Sequence, residues 1–234
     1  MYTLYIANKN YSSWSLRPWV VLKECGIDFK ESLVVFGQGS NWHEFRKFCP
    51  SGLVPCLKDG DETIWDSLAI CEYLAERHSR VWPEDPVARA WARCAASEMH
   101  SGFNALRNIC TMNCGIRVQL HHISDALQRD LTRIDELLSE GLSRFGGPFL
   151  AGDHFSAVDA FYAPVAFRFQ TYGLALGQQV SDYFQRILGL RSMRDWQASA
   201  YLEPWVDDAH ENEVTDVGEV TADFRALSSE KPRH

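Results

Sequence analysis

The chain has 234 residues, and 46% of them are hydrophobic, which is enough to bury a sizeable core and too much for a disordered chain. At this length we expect one large domain or two small ones. The 31 acidic residues outnumber the 23 basic ones, giving a net charge of −8, which argues against a general binder of nucleic acid or of an acidic membrane surface.

The first 80 residues alternate between strand and helix patterns, as in an α/β domain with parallel strands. A β-rich run at 2–6 precedes a helix predicted over 16–25, with Ser15 as its N-cap and Pro18 in its first turn. The elements predicted next are a strand at 29–35, a short helix at 42–48, strands at 54–57 and 63–65, and a helix at 67–77. A tight turn joins the last two strands, which are therefore predicted to be antiparallel.

Beyond a linker at 79–86 the patterns are helical, and no further strand is predicted. Ser156-Ala157-Val158-Asp159 is a capping box that opens a helix. From residue 207 the chain becomes acidic, and we expect a tail that is either docked or disordered. The predicted organisation is a first domain at 1–80, an all-α second domain at 81–206 and an acidic tail at 207–234.

The seven cysteines are an odd number without dense spacing, and no signal peptide is recognised at the start of the sequence. These features favour unpaired thiols in a reducing compartment, so we expect a cytoplasmic protein. No apolar run reaches the 18 or so residues that span a bilayer, so no membrane partner is predicted. Cys110 and Cys114 lie near three histidines, but the spacing fits no familiar ligand pattern and no metal is predicted.

Four motifs follow one another along the chain: Tyr11-Ser12-Ser13-Trp14-Ser15, Pro50-Ser51-Gly52-Leu53-Val54-Pro55, Asp66-Ser67 and the capping box. With these motifs inside the order β-α-β-α-β-β-α and then helices, residues 1 to about 205 resemble the cytosolic glutathione transferases. The serine motif resembles most closely that of serine-type, zeta-like bacterial members. The resemblance implies a thioredoxin-like domain followed by an all-α helical bundle, glutathione as co-substrate and a homodimer.

The serines lie where a strand gives way to a helix N-terminus, whose unpaired N–H groups and dipole favour an anion. A thiolate is such an anion, and a serine O–H that donates to it stabilises it at neutral pH. A charge-assisted hydrogen bond of about 1.5 to 3 kcal/mol lowers a thiol pKa by about one to two units. In the serine-type members the first serine is catalytic, which implies Ser12 here, with Ser13 as the alternative. Trp14 stands where the zeta class has cysteine.

The resemblance also implies a glutathione site. Val54 offers its main chain to the cysteinyl backbone as an added strand, and Pro55, in cis, sets that conformation. Asp66 and Ser67 open a helix and bind the γ-glutamyl end, Ser67 its carboxylate and Asp66 its amino group.

The glycyl carboxylate needs a donor from the loop after the second strand. Gln38, Asn41 and His43 are the candidates, and His43 is preferred.

The electrophile pocket is expected between the first domain and the helices of the second. Met99, Phe103 and Arg107, spaced i, i+4, i+8, predict one helix face that is either pocket wall or core. Arg168 lies in an apolar segment and meets an anionic substrate, pairs with a carboxylate or extends its charged end to water. Trp14 is expected to line the pocket or the domain interface.

These observations favour a glutathione transferase in which the Ser12-stabilised thiolate attacks an electrophilic small molecule. A zeta-like isomerase of the maleylacetoacetate type is the first alternative. A non-catalytic binding module with the same fold is the second, because a fold does not fix a function. A thiol oxidoreductase is disfavoured, since no cysteine occupies the position of Ser12.

Overall fold

The structure is a computed structural model that describes residues 1–37 and 39–225. In chain order its elements are β1 (Tyr2–Ile6), α1 (Ser13–Glu24), β2 (Phe29–Leu33), α2 (Trp42–Phe45), β3 (Cys56–Asp59), β4 (Glu62–Trp65), α3 (Ser67–Ala75), α4 (Pro86–Ser101), α5 (Asn104–Ile109), β5 (Ile116–Leu120), α6 (Asp125–Phe145), α7 (Ala157–Tyr172), α8 (Gln178–Gly189), α9 (Arg191–Tyr201), α10 (Asp208–Val217) and β6 (Gly218–Asp223).

A four-stranded sheet in the order β2-β1-β3-β4 forms the centre of the first domain. β1 pairs in parallel with β2, and β3 runs antiparallel to both β1 and β4. Leu4, Ile6 and Leu57 on these strands are fully buried, and α1 and α3 pack against the sheet. The predicted fold class, a thioredoxin-like domain followed by a helical domain, is confirmed.

The first helix begins three residues earlier than predicted. Its N-cap residue is Ser12 and not Ser15, because the Ser15 hydroxyl is occupied by a hydrogen bond from the Ala7 N–H at 3.2 Å. Pro18 therefore lies inside the helix and not in its first turn. There it deprives the Trp14 carbonyl of the N–H donor that another residue would supply.

The helical domain is centred on α7, which packs against α1, α4 and α8 and is buried along almost its whole length. The predicted capping box opens this helix as expected. The carboxylate of Asp159 accepts the N–H of Ser156 at 2.9 Å and of Leu150 at 3.0 Å, and the hydroxyl of Tyr183 at 3.0 Å. One buried side chain thus joins the start of α7 to the preceding loop and to α8.

The prediction that no strand follows the linker is wrong. β5 and β6 form an antiparallel two-stranded sheet, and β6 comes from the acidic segment expected to be a tail. Among the described residues of that segment, 208–217 are helical and 218–223 are paired with β5, so this part is docked. The run IRVQL of β5 alternates buried with less buried residues, a period-2 pattern too short to recognise without its partner.

Candidate active site

A cavity of about 610 Å³ lies where the two domains meet. Ser12, Ser13 and Trp14, at the start of α1, line it from the first domain, and Arg107 of α5 and Arg168 of α7 line it from the second. With Val54, the structure therefore brings together six residues that the sequence singled out. α10 adds to the same lining, which the sequence did not predict.

Ser12 is 5% exposed, and its Oγ donates a hydrogen bond to Ser15 Oγ at 2.7 Å. Ser13 is less buried and lines the same cavity. Both hydroxyls lie at the positive end of the dipole of a 12-residue helix, where an anion is stabilised. A hydroxyl hydrogen rotates to suit its partner, so either serine can donate to an anion in the cavity.

Tyr11 also lines the cavity, but its hydroxyl already donates to Glu211 Oε1 at 2.8 Å. Burial, and then the charge of Glu211, raise the pKa of Tyr11 well above its usual value. Tyr11 therefore stays protonated at neutral pH and engaged with α10, which leaves the serines as the hydroxyl donors next to it.

The segment before β3 presents a free main chain to the cavity. The Val54–Pro55 peptide bond is cis, and Val54 lines the cavity. Within the described part of the chain, the N–H and C=O of Val54 take part in no backbone hydrogen bond. An extended ligand backbone can use both groups.

Asp66 and Ser67 open α3 next to this segment. Asp66 is the N-cap and accepts the N–H groups of Leu68 at 2.8 Å and Ala69 at 3.4 Å, while its other oxygen lies 3.4 Å from His100 Nε2. Ser67 is 1% exposed, and within the described residues its Oγ has no hydrogen-bond partner. A buried hydroxyl costs free energy when it is unpaired, so Ser67 is suited to a polar ligand group.

Three arginines, Arg17, Arg107 and Arg168, line the same cavity, and none forms a salt bridge with a described residue. Arg168 donates to the Cys110 carbonyl at 2.7 Å, and Arg107 donates to main-chain carbonyls at the end of α4. Each still has a buried nitrogen without a partner among the described residues, and Arg17 has two. The guanidinium carbons of Arg17 and Arg107 lie 4.0 and 4.7 Å from the centre of the Trp14 ring, a cation–π arrangement.

The cluster is strongly electropositive. Burial lowers the pKa of all three arginines, to about 10 for Arg168, and the repulsion of Arg107 lowers those of Arg17 and Arg168 further. A negatively charged ligand would relieve this repulsion and pair the free N–H groups. Sequence reasoning missed Arg17, although it is the only charged residue in the otherwise apolar run 16–22.

Of the three candidates in or after the loop that follows β2, the two that the structure describes do not line the cavity. His43 lies on α2, is exposed, and packs against Trp42 outside the cavity lining. The Asn41 side chain accepts the N–H of Gly37 at 2.6 Å. Gln38, the third candidate, lies outside the described residues.

The predicted stripe of Met99, Phe103 and Arg107 does not lie on one helix. α4 ends at Ser101. A Cβ added to its C-cap residue, Gly102, would lie 2.8 Å from the Glu98 carbonyl oxygen, and the next residue, Phe103, has a left-handed conformation, φ 56°. Met99 and Phe103 are buried in the core and do not line the cavity, whereas Arg107 does.

Cys56 and Cys71 lie in the core, and burial raises the pKa of both thiols, to about 12 for Cys56. Within residues 1–37 and 39–225, no group of three or more His, Cys, Asp or Glu side chains could hold a metal ion. No helix in this part of the chain combines the length and the hydropathy of a membrane span.

The structure has a thioredoxin-like domain, a helical domain and a cavity between them. A family model described as the glutathione S-transferase N-terminal domain matches residues 11–77, and one described as the C-terminal domain matches residues 118–208. A zeta-class glutathione S-transferase from Euphorbia esula is 31% identical over 157 residues, 65% of this chain and 70% of that protein. A maleylacetoacetate isomerase from Rattus norvegicus is 30% identical over 167 residues, 69% of this chain and 74% of that protein. The chain therefore belongs to the glutathione S-transferase superfamily, as a zeta-like member.

Solved structures have the same fold. A glutathione transferase homologue from Burkholderia gl BGR1, solved with bound glutathione, is 24% identical with a TM-score of 0.63, covering 85% of this chain and 97% of that one. A diazinon-metabolizing glutathione S-transferase from Bombyx mori is 16% identical with a TM-score of 0.68, covering 86% of this chain and 97% of that one.

Proposed function

We propose that this protein is a glutathione transferase that joins the glutathione thiolate to an electrophilic small molecule. The observation that carries the proposal is that Ser12, at the N-terminus of α1, lines the same cavity as the unpaired main chain of Val54. An extended cysteinyl backbone on Val54 brings its thiol to the first domain's wall of the cavity, where the serine hydroxyl stabilises the thiolate. Catalysis then combines proximity with nucleophile activation.

The γ-glutamyl end of glutathione extends towards α3. Its carboxylate takes the free hydroxyl of Ser67, and its ammonium group pairs with the carboxylate of Asp66, whose side chain is partly exposed. The donor for the glycyl carboxylate stays a prediction, with His43 as the preferred candidate.

We expect the electrophile to carry an acidic group. Each of the three arginines has at least one buried nitrogen without a partner among the described residues, and this supports the expectation, because such an N–H costs free energy that a carboxylate on the substrate recovers. A neutral, wholly apolar electrophile would leave these donors unpaired.

An isomerase that uses the same thiolate is the second candidate. Two observations favour it: curated relatives about 30% identical are named maleylacetoacetate isomerases, and the arginines suit a dicarboxylic substrate. Trp14 stands where the zeta class has a cysteine. Because of this difference we rank the transferase above the isomerase. Activity on a cis-dienoic diketo acid without activity on aryl halides would establish the isomerase instead.

Glutathione binding is tested by thermal unfolding with and without glutathione. Binding to the native state alone stabilises it by about 2.7 kcal/mol when the ligand is at 100 times its Kd, so the Tm is expected to rise with glutathione concentration. Ser67→Ala should leave the Tm without glutathione unchanged, because the hydroxyl has no hydrogen-bond partner among the described residues, and should weaken binding by about 10- to 100-fold.

Ser101→Ala is the matched control, since Ser101 is exposed at the end of α4 and away from the cavity. If millimolar glutathione leaves the Tm of the wild-type protein unchanged, the proposal is wrong, and the transferase and the isomerase are both excluded. The non-catalytic alternative would then remain. A homodimer stays a prediction that light scattering can check.

The acidic electrophile is tested with Arg107→Gln, which keeps a donor for the carbonyls at the end of α4 but removes the charge. We expect KM for an electrophile with a carboxylate to rise by about 10- to 100-fold, with little change for a neutral aryl halide. Arg93→Gln, which removes an exposed arginine paired with Glu72 outside the cavity, is the control. Equal effects of Arg107→Gln on KM for both electrophiles would show that Arg107 does not recognise the charge of the substrate.

A further inference from the structure

The segment 207–225 is held firmly against the cavity. β6 pairs with β5, and the Phe224 N–H donates to the Gly115 carbonyl at 2.8 Å. Glu211 of α10 accepts from the Tyr11 hydroxyl at 2.8 Å, from Asn113 Nδ2 at 3.0 Å and from Arg225 at 2.6 Å. These contacts fix α10 as one wall of the active-site cavity.

One side chain of this wall, His210 of α10, packs against Tyr11, the residue before the serines. Its ring stacks on Tyr11, with centroids 5.0 Å apart and planes inclined by 25°, and on Phe36, with centroids 5.3 Å apart. Tyr11 directly precedes Ser12, and His210 and Ser12 line the same cavity. Two aromatic contacts therefore hold the imidazole in the wall of the cavity that Ser12 also lines.

The orientation of the imidazole is fixed by a carboxylate. His210 Nδ1 lies 3.1 Å from Asp207 Oδ1, and the same oxygen accepts the main-chain N–H groups of Ala209 and His210 as the N-cap of α10. In the tautomer that this contact favours, Nδ1 carries the proton that Asp207 accepts, and Nε2 keeps its lone pair. Within the described residues Nε2 has no hydrogen-bond partner.

We propose that His210 is a further catalytic residue, the proton acceptor for the glutathione thiol, with Asp207 as its positioning residue. The inference rests on the proposed function. The Nε2 lone pair takes the thiol proton: the S–H bond breaks, its electrons remain on sulfur as the thiolate, and a new N–H bond forms on the ring. Asp207 stabilises the imidazolium, and Ser12 donates to the thiolate.

The proton returns after the sulfur–carbon bond has formed. In an addition it goes from Nε2 to the carbanion of the adduct, and in a substitution it goes to the leaving group or to water. The imidazole is then neutral again, and no other reactant is consumed.

The charged and titratable groups of the described residues around His210 are Asp207, Glu211 and Glu213 of its own segment, Tyr11 beneath its ring, Arg225 beyond β6, and Arg17, Arg107 and Arg168, which line the same cavity. Asp207 stabilises the imidazolium directly. Glu211 is already paired with Arg225. The arginines across the cavity favour the thiolate that forms beside it.

The test is His210→Phe, which keeps an aromatic ring for the stack on Tyr11 and Phe36 but cannot take a proton. We expect kcat/KM at neutral pH to fall by about 10²-fold or more, with the loss shrinking as the pH approaches the pKa of the free thiol. The thiolate fraction of bound glutathione, measured by its ultraviolet absorbance against pH, should fall in parallel. In a weakly buffered solution the wild-type protein should retain the thiol proton on binding glutathione.

Asp207→Asn keeps the N-cap of α10 and removes the charge behind the imidazole, so it should give a smaller loss with the same pH dependence. His154→Phe is the matched control, because His154 is paired with Asp153 in the same way but is exposed and lies outside the cavity. If His210→Phe lowers the Tm but leaves the thiolate titration and the pH profile unchanged, the role of His210 is structural and the inference is wrong. If the wild-type protein binds no glutathione, the proposed function itself fails.

Discussion

Ser12→Ala is expected to lower kcat/KM with an aryl halide at neutral pH by about 10- to 100-fold, while KM for glutathione changes little. The loss follows from the pKa of the bound thiol, which should rise by about one to two units when the hydrogen bond from the serine hydroxyl to the thiolate is removed. The ultraviolet absorbance of the thiolate, titrated with glutathione bound, measures this rise directly. At a pH above the raised pKa the activity of the variant should recover.

Ser13→Ala is the decisive comparison, because Ser13 lines the same cavity and carries the same group. We expect it to keep most of the activity. If Ser13→Ala gives the loss and Ser12→Ala does not, the two serines exchange roles and the rest of the mechanism stands. Ser12 also donates to Ser15, so the Tm of Ser12→Ala should be measured beside its activity.

Asp159→Ala is expected to have the largest effect on stability, about 3 to 5 kcal/mol in the free energy of unfolding. The side chain is fully buried and accepts hydrogen bonds from two main-chain N–H groups and from Tyr183, so its removal leaves three buried donors unpaired. Urea unfolding followed by circular dichroism measures the change. Asp153→Ala, at an exposed aspartate in the preceding loop, should change the stability by less than about 0.5 kcal/mol.

The same carboxyl gives the stability a pH dependence of definite sign. Burial raises the pKa of Asp159 in the folded protein to about 6, against 3.8 for the unfolded side chain. Between these values the folded state holds a proton that the unfolded state has lost, so the contribution of Asp159 falls as the pH rises from about 4 to about 6. Asp159→Asn should lack this decline, and an identical pH profile in both proteins would contradict the assignment.

The parts of the fold that could be predicted are those whose signal is local. β1, α3 and α7 were found because their apolar spacing, their caps and the turns beside them lie within a few residues of one another. The start of α1 was misplaced because Ser12 and Ser15 both suit an N-cap, and the competing hydrogen bond from Ala7 is visible only in three dimensions. β5 and β6 were missed because their pairing joins residues about 100 positions apart.

In the candidate site, too, the residues with a local sequence signal could be predicted and those without one could not. Ser12, Val54 and Ser67 could be proposed from the sequence because their motifs are contiguous and resemble those of a known family, and the structure places Ser12 and Val54 in the cavity lining. Arg17 is marked only by being a charge within an apolar helix, which does not reveal that it faces a cavity. His210 lies nearly 200 residues from the serine loop, and nothing in its own sequence neighbourhood indicates that it reaches Tyr11.

The antiparallel pairing of β5 with β6 also sets the order in which the enzyme is completed during synthesis. The thioredoxin-like domain and most of the helical domain can fold as they leave the ribosome, since their contacts do not need residues beyond 207. The cavity gains its last wall only when residues 208–223 have emerged and β6 has joined β5. We therefore expect a chain truncated after residue 207 to lose activity, because its cavity would lack the wall that α10 supplies.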